Sequence, residues 1–381
     1  MAVQGVANGS LPALIGDLTD TPPERSAARV GELPDIYLIL LDGYPRADTV
    51  RDVLDSDNSE FLAALESRGF TVDPAAHSGY MYTDLAVSSM LHGRHLVDIP
   101  QLADVINGAQ LPARGRQVLN EAPLLAALAE SGYTLMANAQ AWDEPALRRV
   151  HCLVEGHGTN EFERHFFLQS LPGAIWYAVD PGIRQDLMEP WVHDAFAFVE
   201  LAASADVDGP RFAFVHVPSP HFPIVFIADG GRADSRFNAD HPGQVRASME
   251  ENKEACLGQL DYVNDRLLEA LDGSAIAEGA MDVVMSDHGP EFGLDWTMGA
   301  NTDLETRFAT MFAIRGPGEV YEQGQAVTGV LIRLLNWLDV TSLPEPEDRF
   351  FVSDQWPKYR TLMETDNPWP AQTAATDRPL R

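Results

Sequence analysis

The run Ile36 to Leu41, IYLILL, is uninterruptedly apolar and stops at Asp42-Gly43. A strand with one wet face alternates apolar and polar residues. A uniformly apolar one must be covered on both sides, which is the position of a central strand in a parallel sheet. Arg211 to Val217 (RFAFVHV) and Met281 to Ser286 (MDVVMS) read as two more buried strands. Helical phrases separate the strands. Asn58 to Phe70 offers a cap at Asn58 or Ser59, an apolar face of Phe61, Leu62 and Leu65, and a stop at Gly69. Pro123 to Asn138 reads as helix, Gly132, then strand, with Leu124, Leu125 and Leu128 on one face. Ser248 to Leu271 places Leu257, Leu260, Val263, Leu267 and Leu271 at spacings of three and four, and residues 326–339 give another helix. The alternation predicts an α/β fold, a mostly parallel central sheet with helices on both faces.

Residues 1–30, rich in Gly, Pro, Ser and Asp, read as a flexible leader or linker. Residues 31–360 read as one large domain, and 361–381 as a frayed tail. The chain carries 26 Lys and Arg against 57 Asp and Glu, a formal charge of −31. So acidic a surface repels nucleic-acid phosphates and anionic lipid, and the arginines form no basic stripe. Cys152 and Cys256 are too few for a disulfide framework. No stretch approaches eighteen apolar residues, so no transmembrane segment is expected. The N-terminus lacks the basic and apolar regions of a signal peptide.

Functional side chains in an open parallel sheet gather beyond the carboxyl ends of its strands. Those ends read Asp42, His216 and Ser286-Asp287-His288-Gly289. Two carboxylates and an imidazole suit a divalent metal. Taken singly, Asp42-Gly43 and Asp287-His288-Gly289 are also ordinary turn sequences, and His216 is also an ordinary core histidine. Thr83, before Ala86, Val87, Met90 and Leu91, also reads as a helix cap.

In chain order these segments resemble the alkaline phosphatase superfamily, in its sulfatase-like branch that includes phosphoethanolamine and phosphoglycerol transferases. LILLDG resembles the first metal-ligand segment. Thr83 to His95 (TDLAVSSMLHGRH) resembles the nucleophile segment, with Thr83 at the nucleophile position. Pro123 to Thr134 resembles the helix, Gly-Tyr, strand unit. His216 to Pro223 (HVPSPHFP) resembles the His-containing substrate loop, and Ser286 to Gly289 the second metal-ligand segment. The resemblance implies an alkaline-phosphatase-like sandwich. It implies one divalent metal, Zn or Mn rather than Ca or Mg, on Asp42, Thr83, Asp287 and His288, with His216 and His221 as catalytic histidines. Arg46 and Arg94 are further candidates for meeting transition-state charge.

Departures from the sulfatase pattern set the expected chemistry. Formylglycine sulfatases need Cys or Ser in a C/S-x-P-x-R setting, and this chain has Thr83-Asp84-Leu85-Ala86-Val87. Where sulfatases place a Lys and a His, it has Ala137 to Trp142 (ANAQAW) without a cation. The expected function is therefore a hydrolase or transferase of small-molecule or head-group phosphate esters, working through a phospho-threonine. A sulfatase of the same fold and a non-catalytic metal-containing binding module are the alternatives. Relatives of this branch often work outside the cytoplasm beside a membrane. With neither signal nor membrane segment here, a cytoplasmic setting stays open. Arg307, Trp142, Trp176, Trp191, His92, His95 and Asp240-His241 are expected to be structural or solvated, and specificity is expected from 96–120 and 140–195.

Overall fold

The computed structural model describes residues 33–100, 102, 122–138, 152–154, 182–239, 242–245, 247–274, 276, 279–354 and 361–369. The leader, Asp240-His241, Trp142, Trp176 and most of the stretches expected to carry specificity lie outside them.

Nine strands are described: β1 (Ile36–Leu41), β2 (Thr71–Val72), β3 (Thr134–Asn138), β4 (Cys152–Val154), β5 (Arg211–Val217), β6 (Met281–Met285), β7 (Phe312–Arg315), β8 (Phe350–Asp354) and β9 (Thr361–Thr365). The helices are α1 (Ala47–Asp52), α2 (Ser59–Ser67), α3 (Thr83–His92), α4 (Pro123–Glu130), α5 (Ile183–Ser204), α6 (Met249–Gly273), α7 (Leu304–Phe308) and α8 (Val327–Trp337). The main sheet has the order β2-β7-β6-β1-β5-β3-β4. Strands β6, β1, β5, β3 and β4 run parallel, while β7 and β2 close one edge antiparallel.

β1 lies in the middle and all six of its residues are buried. Ile36, Leu38 and Leu40 face a core built with α3, α4 and α8, including Val87, Leu124 and Leu331. Tyr37, Ile39 and Leu41 face a second core, with Trp191, Val199 and Val263 from α5 and α6. The expected α/β architecture is thus present, helices covering both faces. Trp191 is core, as expected. α6 begins with a capping box between Ser248 and Glu251 that satisfies donors at its first turn.

Three elements differ from expectation. Residues 361–365, counted with the tail, pair as β9 against β8, and Phe350, Phe351, Val352 and Leu362 bury into the first core. Arg349 clamps this hairpin by bonding both Asp98 and Glu364. α5 runs through Pro190, and its polar spacing hid a buried face. Thr83 does not cap α3, because Tyr82 holds the cap position and Thr83 begins the helix proper. Among the described residues no helix is long and apolar enough to cross a membrane.

Leu38 has no exposed surface. Leu38→Ala is expected to cost about 2–5 kcal/mol in equilibrium denaturation with an unchanged slope. A loss well under 1 kcal/mol would contradict the two-faced burial of β1.

Candidate active site

Register places the central pair of carboxylates. Leu40 of β1 lies opposite Met285 of β6. Two residues further along each strand stand Asp42 and Asp287, both buried. Gly43 turns at a φ of 71°, and its N–H donates to Asp287 Oδ1 at 3.2 Å. A Cβ at Gly289 would stand 2.0 Å from the Thr306 carbonyl, so only glycine fits the turn after His288.

His288 is 1% exposed. Its Nδ1–H donates to the Gly289 carbonyl at 2.8 Å, which leaves the Nε2 lone pair facing inward. Around Nε2 stand Thr83 Oγ1 at 3.1 Å, Asp287 Oδ2 at 3.2 Å and Asp42 Oδ1 at 3.5 Å. Burial, and then the positive Arg307, push the His288 pKa below the ordinary imidazole range, so the ring is neutral near pH 7. Asp42 Oδ1 and Asp287 Oδ2 are fully buried without a hydrogen-bond donor. Two orphaned carboxylate oxygens and an imidazole lone pair within contact of one another need a cation, because buried lone pairs left unmatched are costly. This donor set fits the divalent metal that the resemblance implies.

His216 supports Asp42. Its Nε2 lies 3.2 Å from Asp42 Oδ2. Its own backbone is held by the side chain of Asn138, the last residue of β3, whose Nδ2 donates to the His216 carbonyl and whose Oδ1 accepts from its N–H. Burial raises the Asp42 pKa, but His221, His216 and His288 outweigh it and hold the carboxyl well below the usual range.

His221 approaches from the loop after β5, its N–H bonded to the Asp42 carbonyl at 3.0 Å. Ligand atoms of Asp42, His221 and His288 lie within 4.8 Å of one another, so proximity alone makes a metal cluster of these three. The partners argue otherwise for His221. Its Nδ1 faces the Phe222 carbonyl and its Nε2 faces Glu291 Oε1 at 3.1 Å. An acceptor at each nitrogen suits an imidazolium that donates twice, not a ligand. Burial opposes that charge, but Glu291 and Asp42 together raise the His221 pKa above its ordinary value.

The structure thus gathers Asp42, Thr83, His216, His221, Asp287 and His288 around one point. The two arginine candidates are placed differently. Arg94 follows the far end of α3, and a ten-residue helix is about 15 Å long, so it stands well away from Thr83. Arg46 is committed to Asp48, to the Ala76 carbonyl and to the face of Trp369. His92 and His95 are buried and bonded to the Ser88 and Glu347 carbonyls, which is structural as expected. Sequence reasoning missed Glu291; its partner Arg307, expected to be structural, is buried with NH1 3.2 Å from Glu291 Oε1. The signal available was a carboxylate four residues past Asp287.

The sequence model of the Sulfatase family matches residues 35–324. No curated protein sequence matches significantly. A solved 2-O GAG sulfatase superposes with a TM-score of 0.53 at 13% identity, covering 86% of this chain and 79% of its own. A phosphonate monoester hydrolase of Agrobacterium radiobacter gives 0.54 at 15% identity, with 84% and 80% covered. The periplasmic domain of EptC from Escherichia coli, solved with Zn, gives 0.48 at 10% identity, with 88% and 94% covered, too loose a likeness to carry an argument. At these identities the likeness is one of fold.

Asp287→Asn and His288→Ala are expected to lose bound divalent metal on dialysis that the wild type retains, read by elemental analysis. Because the His288 pKa is lowered, the ring stays unprotonated as pH falls through the ordinary imidazole value of about 6.5, and wild-type retention should persist below it. Retention lost at or above that pH, or kept by both variants, would contradict the donor set.

Proposed function

The chain belongs to the sulfatase family, and we propose that it is a metal-dependent hydrolase or transferase of phosphate esters with Thr83 as its nucleophile. The observation that carries the proposal is the position of Thr83 Oγ1. It starts α3 without capping it and lies 3.1 Å from His288 Nε2, beside the two orphaned carboxylate oxygens. A hydroxyl there serves no helix end and adjoins the charge that would activate it.

Asp42, Asp287, His288 and Thr83 would hold one divalent ion, Zn or Mn on the strength of the imidazole donor. When bound, the ion supplies the charge that lowers the Thr83 hydroxyl pKa and draws in an anionic ester. The charge balance of the residues supports this requirement. Asp42, Asp287 and Glu291 outnumber Arg307 and the His221 imidazolium, so the protein alone would repel the substrate.

In the proposed reaction, Thr83 enters as the alkoxide, its proton given up to solvent beforehand, and Oγ attacks phosphorus. A P–Oγ bond forms as the bond from phosphorus to the leaving oxygen breaks. The α3 N-terminus, where Thr83 sits, contributes a favourable dipole to the anionic phosphoryl group. His221 gives its Nε2 proton, held at rest by Glu291 Oε1, to the leaving oxygen. Water or an alcohol then attacks the phospho-threonine, its proton passing to His221, and the P–Oγ bond breaks to release Thr83 as the alkoxide that begins the next cycle. His216, whose Nε2 bonds Asp42 Oδ2, takes part in this reading by orienting that carboxylate.

Sulfate-ester hydrolysis is the second reading, favoured by the family match. It is set lower because threonine cannot supply the aldehyde hydrate that formylglycine sulfatases use.

The metal-loaded protein and Thr83→Ala should be compared on an aryl phosphomonoester, an aryl phosphodiester and an aryl sulfate. Phosphate-ester turnover is expected to fall on the order of 10³-fold or more in the variant. Sulfate as the better substrate, or turnover indifferent to the substitution, would contradict the reading.

A further inference from the structure

We propose that Arg307 and Glu291 are positioning residues that bind the nucleophile turn, the metal-ligand turn and His221 into one rigid unit. The proposal rests on Thr83 as nucleophile.

Arg307 is 1% exposed and sits on α7, whose first turn is fixed by Asp303. Its Nε donates to the Met81 carbonyl at 2.8 Å, two residues before Thr83. Its NH1 donates to the Gly289 carbonyl at 2.7 Å, directly after His288. The Gly289 N–H returns a bond to the Arg307 carbonyl at 2.7 Å, so the metal-ligand turn and α7 grip each other in both directions. NH1 also meets Glu291 Oε1, the same oxygen that faces His221 Nε2. The Arg307 guanidinium lies 6.0 Å from the Tyr82 ring centroid, next to the nucleophile.

One planar group therefore touches both turns that carry reacting side chains and, through Glu291, the imidazole of a third segment. Lysine at this position would keep the charge but could not serve these separate acceptors with a fixed fork. Glu291, 5% exposed, is held by Arg307 and in turn fixes the direction of the His221 ring. Misplacing a reacting group by about an ångström costs on the order of 10²-fold in rate. The unit should therefore act on kcat and leave KM and metal content near their wild-type values.

The test uses the full metal-loaded chain and the aryl phosphate ester it turns over best. Arg307→Lys, Arg307→Ala, Glu291→Gln and Thr83→Ala are compared for kcat, KM, bound metal and melting temperature. Arg307→Lys and Glu291→Gln are expected to lose about 10²-fold in kcat with KM and metal retained, and millimolar guanidinium should restore part of the rate to Arg307→Ala. Wild-type kcat in both Arg307→Lys and Glu291→Gln overturns the proposal, as does a loss explained wholly by departed metal. Should the Arg307 variants fail to fold, Glu291→Gln decides alone: reduced kcat at a wild-type melting temperature supports the proposal, and unchanged kcat overturns it. Those results with Thr83→Ala inactive defeat only the positioning claim. Thr83→Ala as active as wild type defeats the nucleophile reading on which it rests.

Discussion

Two carboxylates stand side by side in a dry site because β1 and β6 are parallel and in register. Leu40 faces Met285, so Asp42 and Asp287 leave the sheet at matching heights. Like charges so close inside a protein oppose folding unless cations and donors offset them. The surrounding structure supplies part of that offset. His216 takes one oxygen of Asp42 and the Gly43 N–H takes one of Asp287, while the remaining oxygens point at His288 Nε2 without a proton between them. The fold thus builds a concentration of negative charge that a dication completes.

The helices then carry function because of where they end. α3 packs its apolar length against the sheet and α8, which fixes Thr83 at its amino end over the carboxylates. The loop after β5 brings His221 back across Asp42 through a backbone bond. Glu291 and Arg307 close the ring from the side of β6. The proposed nucleophile and the proposed acid come from different segments, and neither needs a long flexible side chain to reach the centre.

The sheet was legible in sequence where burial on both faces leaves a mostly apolar run, as in Ile36–Leu41 and Arg211–Val217. Asp42, Thr83, Asp287 and His288 were nominated because they occur in the order of a known family, Asp42 and Asp287-His288 just past buried strands and Thr83 at the head of a helix, and the structure brings them together. Other features leave no local mark. The Glu291–Arg307 pair is a loop acid and an Arg beside a Phe until α7 folds back on the turn after β6. β9 is short and polar and is defined only by its pairing with β8. α5 hides behind Pro190. The Arg94 expectation followed adjacency in a motif, and helix length separates its two ends.

The most direct test of the account is the mass of the protein quenched in acid during turnover of an aryl phosphate ester, followed by peptide mapping. The account predicts one phosphoryl group per chain, on Thr83, absent from Thr83→Ala and discharged on adding water-rich buffer or an alcohol acceptor. Turnover without a covalent phosphoryl group, or with one on another residue, would contradict it.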